Sequence, residues 1–316
     1  RRFGAGAAAS RLVCGSLSAH HDLEDALADA KGAGAALTFS SGYAAAMGCI
    51  PVIVGKGDVV ILDKLSHACL VDAARACGAT LRVFPHNRVD RLAELLENSR
   101  RKFPRGRILV ITESVFSMDG DVCPLEGIVE ACEAHGALLW IDEAHAMGVI
   151  GPRGCGLVQQ LGLADRVPFQ MGTLGKALGV AGGYLVASRD WIDLMVNRAR
   201  AFIYSTAPPP AMAVAAMKAL EISCSNQGDL LRQRLLEHVR TMGVPEHPSA
   251  ILPVVLGTND AVLAASAALA EQGFLVPAIR YPTVPRGTAR LRVSLSAAHE
   301  TADVRRLAEA LAPYCA

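Results

Sequence analysis

Short apolar runs alternate along this chain with stretches whose apolar positions recur every three to four residues. Val59-Val60-Ile61-Leu62-Asp63, Leu81-Arg82-Val83-Phe84, Ile108-Leu109-Val110-Ile111-Thr112-Glu113 and Leu138-Leu139-Trp140-Ile141-Asp142 are too short for helices and rich in β-branched residues, so they predict buried strands. Ser66 to Cys77, Asp90 to Ser99 and Leu125 to His135 lie between them and read as helices. Strands that are apolar throughout, each followed by a helix long enough for a crossover, belong to a mostly parallel sheet covered on both faces. The pattern predicts an α/β protein.

The flanking regions extend this picture. Gly4 to Ser18 reads as loop, and His20 to Lys31 as a helix with Leu23, Ala26, Leu27 and Ala30 on one face. Leu37-Thr38-Phe39 is a brief strand. It runs into the turn Ser40-Ser41-Gly42-Tyr43 and an apolar helix, Ala44 to Val54. That turn is either an ordinary capped helix start or an anion seat built from free backbone N–H groups. Gly183 to Ala187 is one more strand, and Trp191 to Arg200 a helix. Ala207-Pro208-Pro209-Pro210 then opens a bridging helix, Ala211 to Cys224. From Gly228 a smaller α+β unit follows: helix Asp229 to Met242, strand Ile251 to Leu256, helix Asp260 to Gln272, strands Phe274 to Ile279 and Arg290 to Leu295, and helix Thr301 to Ala312. The expected division is a large domain over 1–207, then the bridging helix and small domain over 208–316.

Composition narrows the class. The 316 residues are 52% hydrophobic and 19% charged, enough for a sizeable core. With a net charge of +1 and no basic run beyond Arg100-Arg101-Lys102, a nucleic-acid surface is not expected. Charged, Gly or Pro residues interrupt every apolar run before it reaches membrane-span length. The nine cysteines are odd in number, contain no C-x-x-C pair and lack zinc-site spacing, which predicts reduced thiols in a cytoplasmic protein and no metal. No signal peptide is recognisable. The chain opens Arg1-Arg2-Phe3 without a methionine, as a processed or trimmed product would.

Candidate chemistry centres on Met171-Gly172-Thr173-Leu174-Gly175-Lys176-Ala177-Leu178-Gly179. Glycines let a ligand approach the backbone, and an amine kept in apolar surroundings becomes a nucleophile toward aldehydes. An exposed-turn lysine is the plainer reading. A nucleotide phosphate loop fails, because Ala177 stands where Ser or Thr should follow the lysine. Upstream, Asp142 ends a buried strand and begins Asp-x-x-His145. Alone, Asp142 could equally be a cap or surface residue. Asp, His and Lys in this order point to pyridoxal phosphate, with the carboxylate on the pyridine nitrogen, the imidazole on the ring hydroxyl and the amine on the aldehyde.

Set beside known families, the chain resembles the α-oxoamine synthases over nearly its whole length. The resemblance rests on Ser10-Arg11-Leu12-Val13, His20-x-x-Leu23-Glu24, Ser41-Gly42-Tyr43, Leu65-Ser66-His67-Ala68, Thr112 to Gly120, Ile141 to His145, Gly172 to Lys176, and Tyr281 to Arg292. It implies a fold-type-I pyridoxal-phosphate transferase with a mostly parallel seven-stranded sheet and a smaller C-terminal domain. It also implies a homodimer with a shared active site. Lys176 would carry the imine and move the Cα proton, Asp142 would pair with the pyridinium, His145 would bond the phenolic oxygen, and His67 would stack on the ring. Gly42, Tyr43 and Thr173 would hold the phosphate, joined by Thr206 of the second subunit. Glu113 and Ser117 would line the pocket. Arg292 would hold the amino-acid carboxylate, although Arg290 lies on the same strand face two residues away.

Within the family, the Ser-Arg-Leu-Val opening and the segment Arg292 to His299 are most like the branch that condenses L-alanine with a pimeloyl thioester, on CoA or a carrier protein, in biotin biosynthesis. A glycine-using branch, 5-aminolevulinate synthase, shares the Tyr281 to Thr288 type of segment; it, 2-amino-3-ketobutyrate CoA ligase and serine-using branches stay open, as does an idle cofactor-binding dimer partner. The resemblance also implies a segment before Gly4-Ala5-Gly6 that shapes the acyl entrance and the subunit contact. Without it, acyl specificity is in doubt.

Overall fold

The computed structural model describes residues 4–315. They form two compact units. One holds the chain up to Val115 together with Cys123–Gly228; the other holds Phe116–Val122 and the chain from Asp229.

The first unit is built on seven strands: β1 (Ala35–Phe39), β2 (Val59–Asp63), β3 (Thr80–Phe84), β4 (Ile108–Glu113), β5 (Leu138–Asp142), β6 (Phe169–Thr173) and β7 (Gly183–Ala187). Their order is β1-β7-β6-β5-β4-β2-β3. β3, β2, β4, β5 and β6 run parallel, and β7 is antiparallel to both of its neighbours. β2 and β4 are buried along their whole length, as continuous apolar runs covered on two faces must be. β3 is one edge; only Phe84 of its five residues is buried, so the strand admits Arg82.

Period-two alternation divides the core. Leu185 and Ala187 of β7 pack on one face with Phe39, Trp140 and Phe169, beneath the helix Gly42–Ile53. That helix is apolar around most of its circumference and buries Ala45, Ala46, Cys49, Ile50 and Ile53. Tyr184 and Val186 point to the other face, against Leu23 and Leu27 of the helix Ser18–Ala30 and Ala213, Ala216 and Leu220 of the helix Pro210–Ser223. This packing places the bridging helix with the large unit, so the structural division comes after Gly228 and not at 207/208.

Before the first long helix, Arg11–Gly15 forms one π-helical turn where a loop is expected. Arg11 reaches inward from it. Its guanidinium makes two 2.8 Å bonds to the Glu24 carboxylate and donates to Thr38 Oγ1. The same carboxylate accepts the Thr38 backbone N–H, so this buried pair fixes the chain start to β1.

The second unit is an antiparallel sheet of β8 (Ile251–Gly257), β9 (Ala278–Ile279) and β10 (Ala289–Ser294), in the order β8-β10-β9. The helix Asn259–Glu271 packs on it. The expected strand from Phe274 shrinks to two residues. Pro277 has no N–H to give a ladder, and Leu275 is left exposed.

Candidate active site

Four adjacent parallel strands end on polar residues: Asp63 on β2, Glu113 on β4, Asp142 on β5 and Thr173 on β6. The carboxyl ends of the strands are where open α/β sheets bind ligands. Most of the residues expected from the sequence gather here.

Asp142 is buried and stands opposite Glu113 in the β4–β5 register. Its Oδ1 accepts the Ala144 N–H at 2.9 Å. Glu113 is also buried, and its Oε1 accepts the His67 N–H at 2.5 Å. Burial raises both carboxyl groups above the ordinary range. The negative charge of Asp142 pushes Glu113 further up, while Lys176 and His67 oppose the rise at Asp142.

Lys176 Nζ lies 2.8 Å from His145 Nε2. The flanking apolar residues do not enclose this lysine, as the sequence suggested they would. Leu174 and Leu178 turn inward to pack with Met147 and Tyr184, and Lys176 stands exposed on the β6–β7 connection. His67 caps the helix Ala68–Ala76 through Nδ1, which accepts the Cys69 N–H, and its ring is exposed. The helix-cap role and an open ring face therefore coexist in one residue.

Gly42 and Tyr43 open the helix Gly42–Ile53. Ser41 Oγ caps the Ala44 N–H and the Ser41 carbonyl accepts from Ala45, which leaves the Gly42 and Tyr43 N–H groups without partners among the described residues. A Cβ on Gly183 would strike the Ser41–Gly42 backbone, so a glycine is required where β7 passes beneath this turn. The Tyr43 ring is half exposed and its hydroxyl donates to Asp72. Thr173 Oγ1 donates to the Gly182 carbonyl at 3.0 Å and accepts from the Gly175 N–H. Thr206 is exposed and bridges Ser10.

Ser117 and Arg292 belong to the second unit, where Arg292 Nε donates to the Ser117 carbonyl at 2.6 Å and Nη1 to Ser294 Oγ. Partial burial lowers the Arg292 guanidinium from its ordinary value, and it has no carboxylate partner among the described residues. Arg290, by contrast, is paired with Asp119.

Sequence reading missed the residue after Asp142. Glu143 forms an ion pair with Lys31, both side chains wholly buried, and its Oε1 accepts the Val158 N–H. Lys31 also donates to the Cys155 carbonyl. A lysine at a helix end reads as a surface residue, and its acidic partner is 112 positions away.

These residues fit pyridoxal phosphate. Unpartnered N–H groups at the start of a helix suit the phosphate. A buried carboxylate suits a protonated ring nitrogen, and an exposed amine suits the aldehyde.

The family model for aminotransferase class I and II matches residues 1–311. The chain is 48% identical over 318 residues to the 8-amino-7-oxononanoate synthase of Anaeromyxobacter dehalogenans, covering 98% of this chain and 79% of the relative. It is 50% identical over 313 residues to the enzyme of the same name from Methylobacterium radiotolerans, covering 98% and 80%. Among solved structures, a serine palmitoyltransferase from S. paucimobilis with bound PLP superposes with a TM-score of 0.93 at 31% identity, over 99% of this chain and 80% of that one. The 8-amino-7-oxononanoate synthase of Francisella tularensis shares the fold at a TM-score of 0.80, with 24% identity over 94% of this chain and 87% of that one.

Proposed function

Because this chain belongs to the aminotransferase class I and II family, and within it to the α-oxoamine synthases, pyridoxal-phosphate enzymes of fold type I, we propose that it condenses L-alanine with a pimeloyl thioester. The products are 8-amino-7-oxononanoate, CO2 and the free thiol of CoA or a carrier protein. The observation that carries this reading is the Lys176–His145 contact on the same strand-end face as the buried Asp142 carboxylate. The names of the relatives at 48% and 50% identity support the choice of substrates.

Pyridoxal phosphate supplies an electron sink for a carbanion at the amino acid Cα. Lys176 Nζ would hold the cofactor through its aldehyde, and it is the amine placed to take the Cα proton and to return one. Asp142 would keep the ring nitrogen protonated, and pairing with that cation would favour its charged form against the cost of burial. His145 hydrogen-bonds the phenolic oxygen and lies within reach of the lysine. His67 stacks on the ring. Glu113, through the His67 N–H, fixes the turn that carries this imidazole. The Gly42 and Tyr43 N–H groups bind phosphate oxygens, with the hydroxyls of Thr173 and, from a second copy, Thr206. Ser117 lines the substrate pocket. Arg292 takes the alanine carboxylate in a two-pronged bond and so orients the bond that breaks. Arg290 is committed to Asp119, which favours Arg292 for this task. The protein acts as a cytoplasmic homodimer; among the described residues, no helix is long and apolar enough to cross a membrane.

The test is the visible spectrum of the purified protein before and after L-alanine, followed by pimeloyl-CoA with mass detection of the product. A cofactor band that shifts with alanine, and 8-amino-7-oxononanoate as product, are expected. Faster turnover of glycine or serine would move the chain to a sister activity. A coloured protein that does not respond to any amino acid would make it an idle fold.

A further inference from the structure

Away from the strand ends, the first unit carries a groove of about 740 Å³. Ala26, Ala30, Met217 and Leu220 make its sides, and Cys155 and Cys224 share its wall. Their Sγ atoms are 3.9 Å apart. None of the roles proposed above uses either thiol.

Three features make this pair chemically competent. Cys155 sits between Gly154 and Gly156, which hold φ angles of +69° and +104°, so its backbone is set by residues without a Cβ. Cys224 follows the last residue of the helix Pro210–Ser223, where the chain leaves the helix. Arg153 Nε donates to the Cys224 carbonyl at 2.7 Å, which ties the turn that precedes Cys155 to the end of this helix and holds the two cysteines side by side. Bringing the two sulfurs to bonding distance takes a shift of about 2 Å.

We infer that Cys155 and Cys224 form a reversible modification site for a low-molecular-weight disulfide of the glutathione type. The thiolate form of Cys224, the less buried of the two residues, attacks one sulfur of the small disulfide. That S–S bond breaks, one glutathione thiolate leaves and takes a proton from solvent, and a mixed disulfide forms on Cys224. Cys155 then attacks the Cys224 sulfur. The second glutathione leaves with the Cys155 proton, and a Cys155–Cys224 bond remains. Two protein thiols are oxidised to one disulfide, and one glutathione disulfide is reduced to two thiols. The order follows from the site, because the hydrogen bond to Cys224 and then burial keep the Cys155 thiol above the usual range.

The product ties the Pro152–Gly154 turn to the end of the helix Pro210–Ser223. Because the Cys155 carbonyl accepts from Lys31, and Lys31 pairs with Glu143, the crosslink is two polar contacts removed from the residue next to Asp142.

The experiment uses the full chain with the exposed thiols removed by Cys14→Ser and Cys315→Ser, incubated with oxidised glutathione and followed by intact mass and peptide mapping. The expected species is two hydrogens lighter, linked between Cys155 and Cys224, and restored by dithiothreitol. Cys155→Ser should instead trap one glutathione on Cys224, and Cys224→Ser should slow modification at this site at least tenfold. Glutathione on both cysteines without a link would overturn the proposal. So would a folded protein whose pair stays reduced while the urea-unfolded chain reacts. Neither result bears on the alanine-dependent spectrum, so this inference and the proposed activity fail separately.

Discussion

Glu113 lies directly opposite Asp142 across β4 and β5, with both carboxyl groups buried. Their folded-state values are raised, chiefly by burial, so between the ordinary carboxylate range and the raised one the folded chain keeps protons that the unfolded chain has released. Folding stability must therefore fall as pH rises through that window. In cofactor-free protein, Glu113→Gln removes one titrating group and should flatten the slope by up to about 1.4 kcal/mol per pH unit. Urea unfolding at about pH 5 and about pH 7.5 checks this. An unchanged slope would show that Glu113 does not bind the extra proton.

Lys176→Ala removes the amine but not the helix-start N–H groups. Cofactor affinity should persist in part, borohydride should no longer attach the cofactor, and turnover should fall by about a thousandfold or more. Borohydride labelling at another position, or normal turnover, would remove Lys176 from its role.

Asp142→Asn keeps the size of the side chain and the Ala144 bond but cannot hold a ring cation by charge. Turnover should drop by about a hundredfold or more, the scale on which single electrostatic stabilisers act. Cofactor titration by absorbance should show weaker binding, and alanine should bind with little spectral change. Unaltered kinetics would mean the ring nitrogen does not depend on this carboxylate.

Lys31→Met leaves Glu143 buried without its cation, a change that costs about 3–5 kcal/mol when one partner of a buried pair is lost. The double variant Lys31→Met/Glu143→Leu should recover much of that loss. Arg88→Ala, which breaks the exposed pair with Asp90, should cost less than about 1 kcal/mol. Denaturant melts of the four proteins test the ordering, and equal losses for Lys31→Met and Arg88→Ala would contradict it.

The sequence was most informative where chemistry and periodicity coincide. Apolar runs ending in a carboxylate marked β4 and β5, and the order Asp142, His145, Lys176 carried the cofactor reading. β6 was hidden because Gly172 and Thr173 interrupt its apolar pattern, although Phe169 and Met171 are buried. Arg290 and Arg292 could not be separated by alternation, since both lie on one strand face; only Asp119, far away in the chain, distinguishes them. Lys31 was unreadable for the same reason: its environment is made by Glu143 and the Cys155 carbonyl, and nothing local announces either.

The reversed direction of β7 determines how Lys176 is carried. Thr173 pairs with Gly183 in the ladder, Leu174 N–H donates to the Gly182 carbonyl, and Val180 N–H returns to Leu174. The amine thus hangs from a hairpin knotted to itself, while the other strand ends lead into long crossovers. The lysine is thereby anchored to the sheet itself, and the reach of its amine from that anchor is set by its own four methylenes. A single residue added beside Lys176 would move that tether relative to His145 and would also shift Leu174 or Leu178, the two anchors the connection sets into the core.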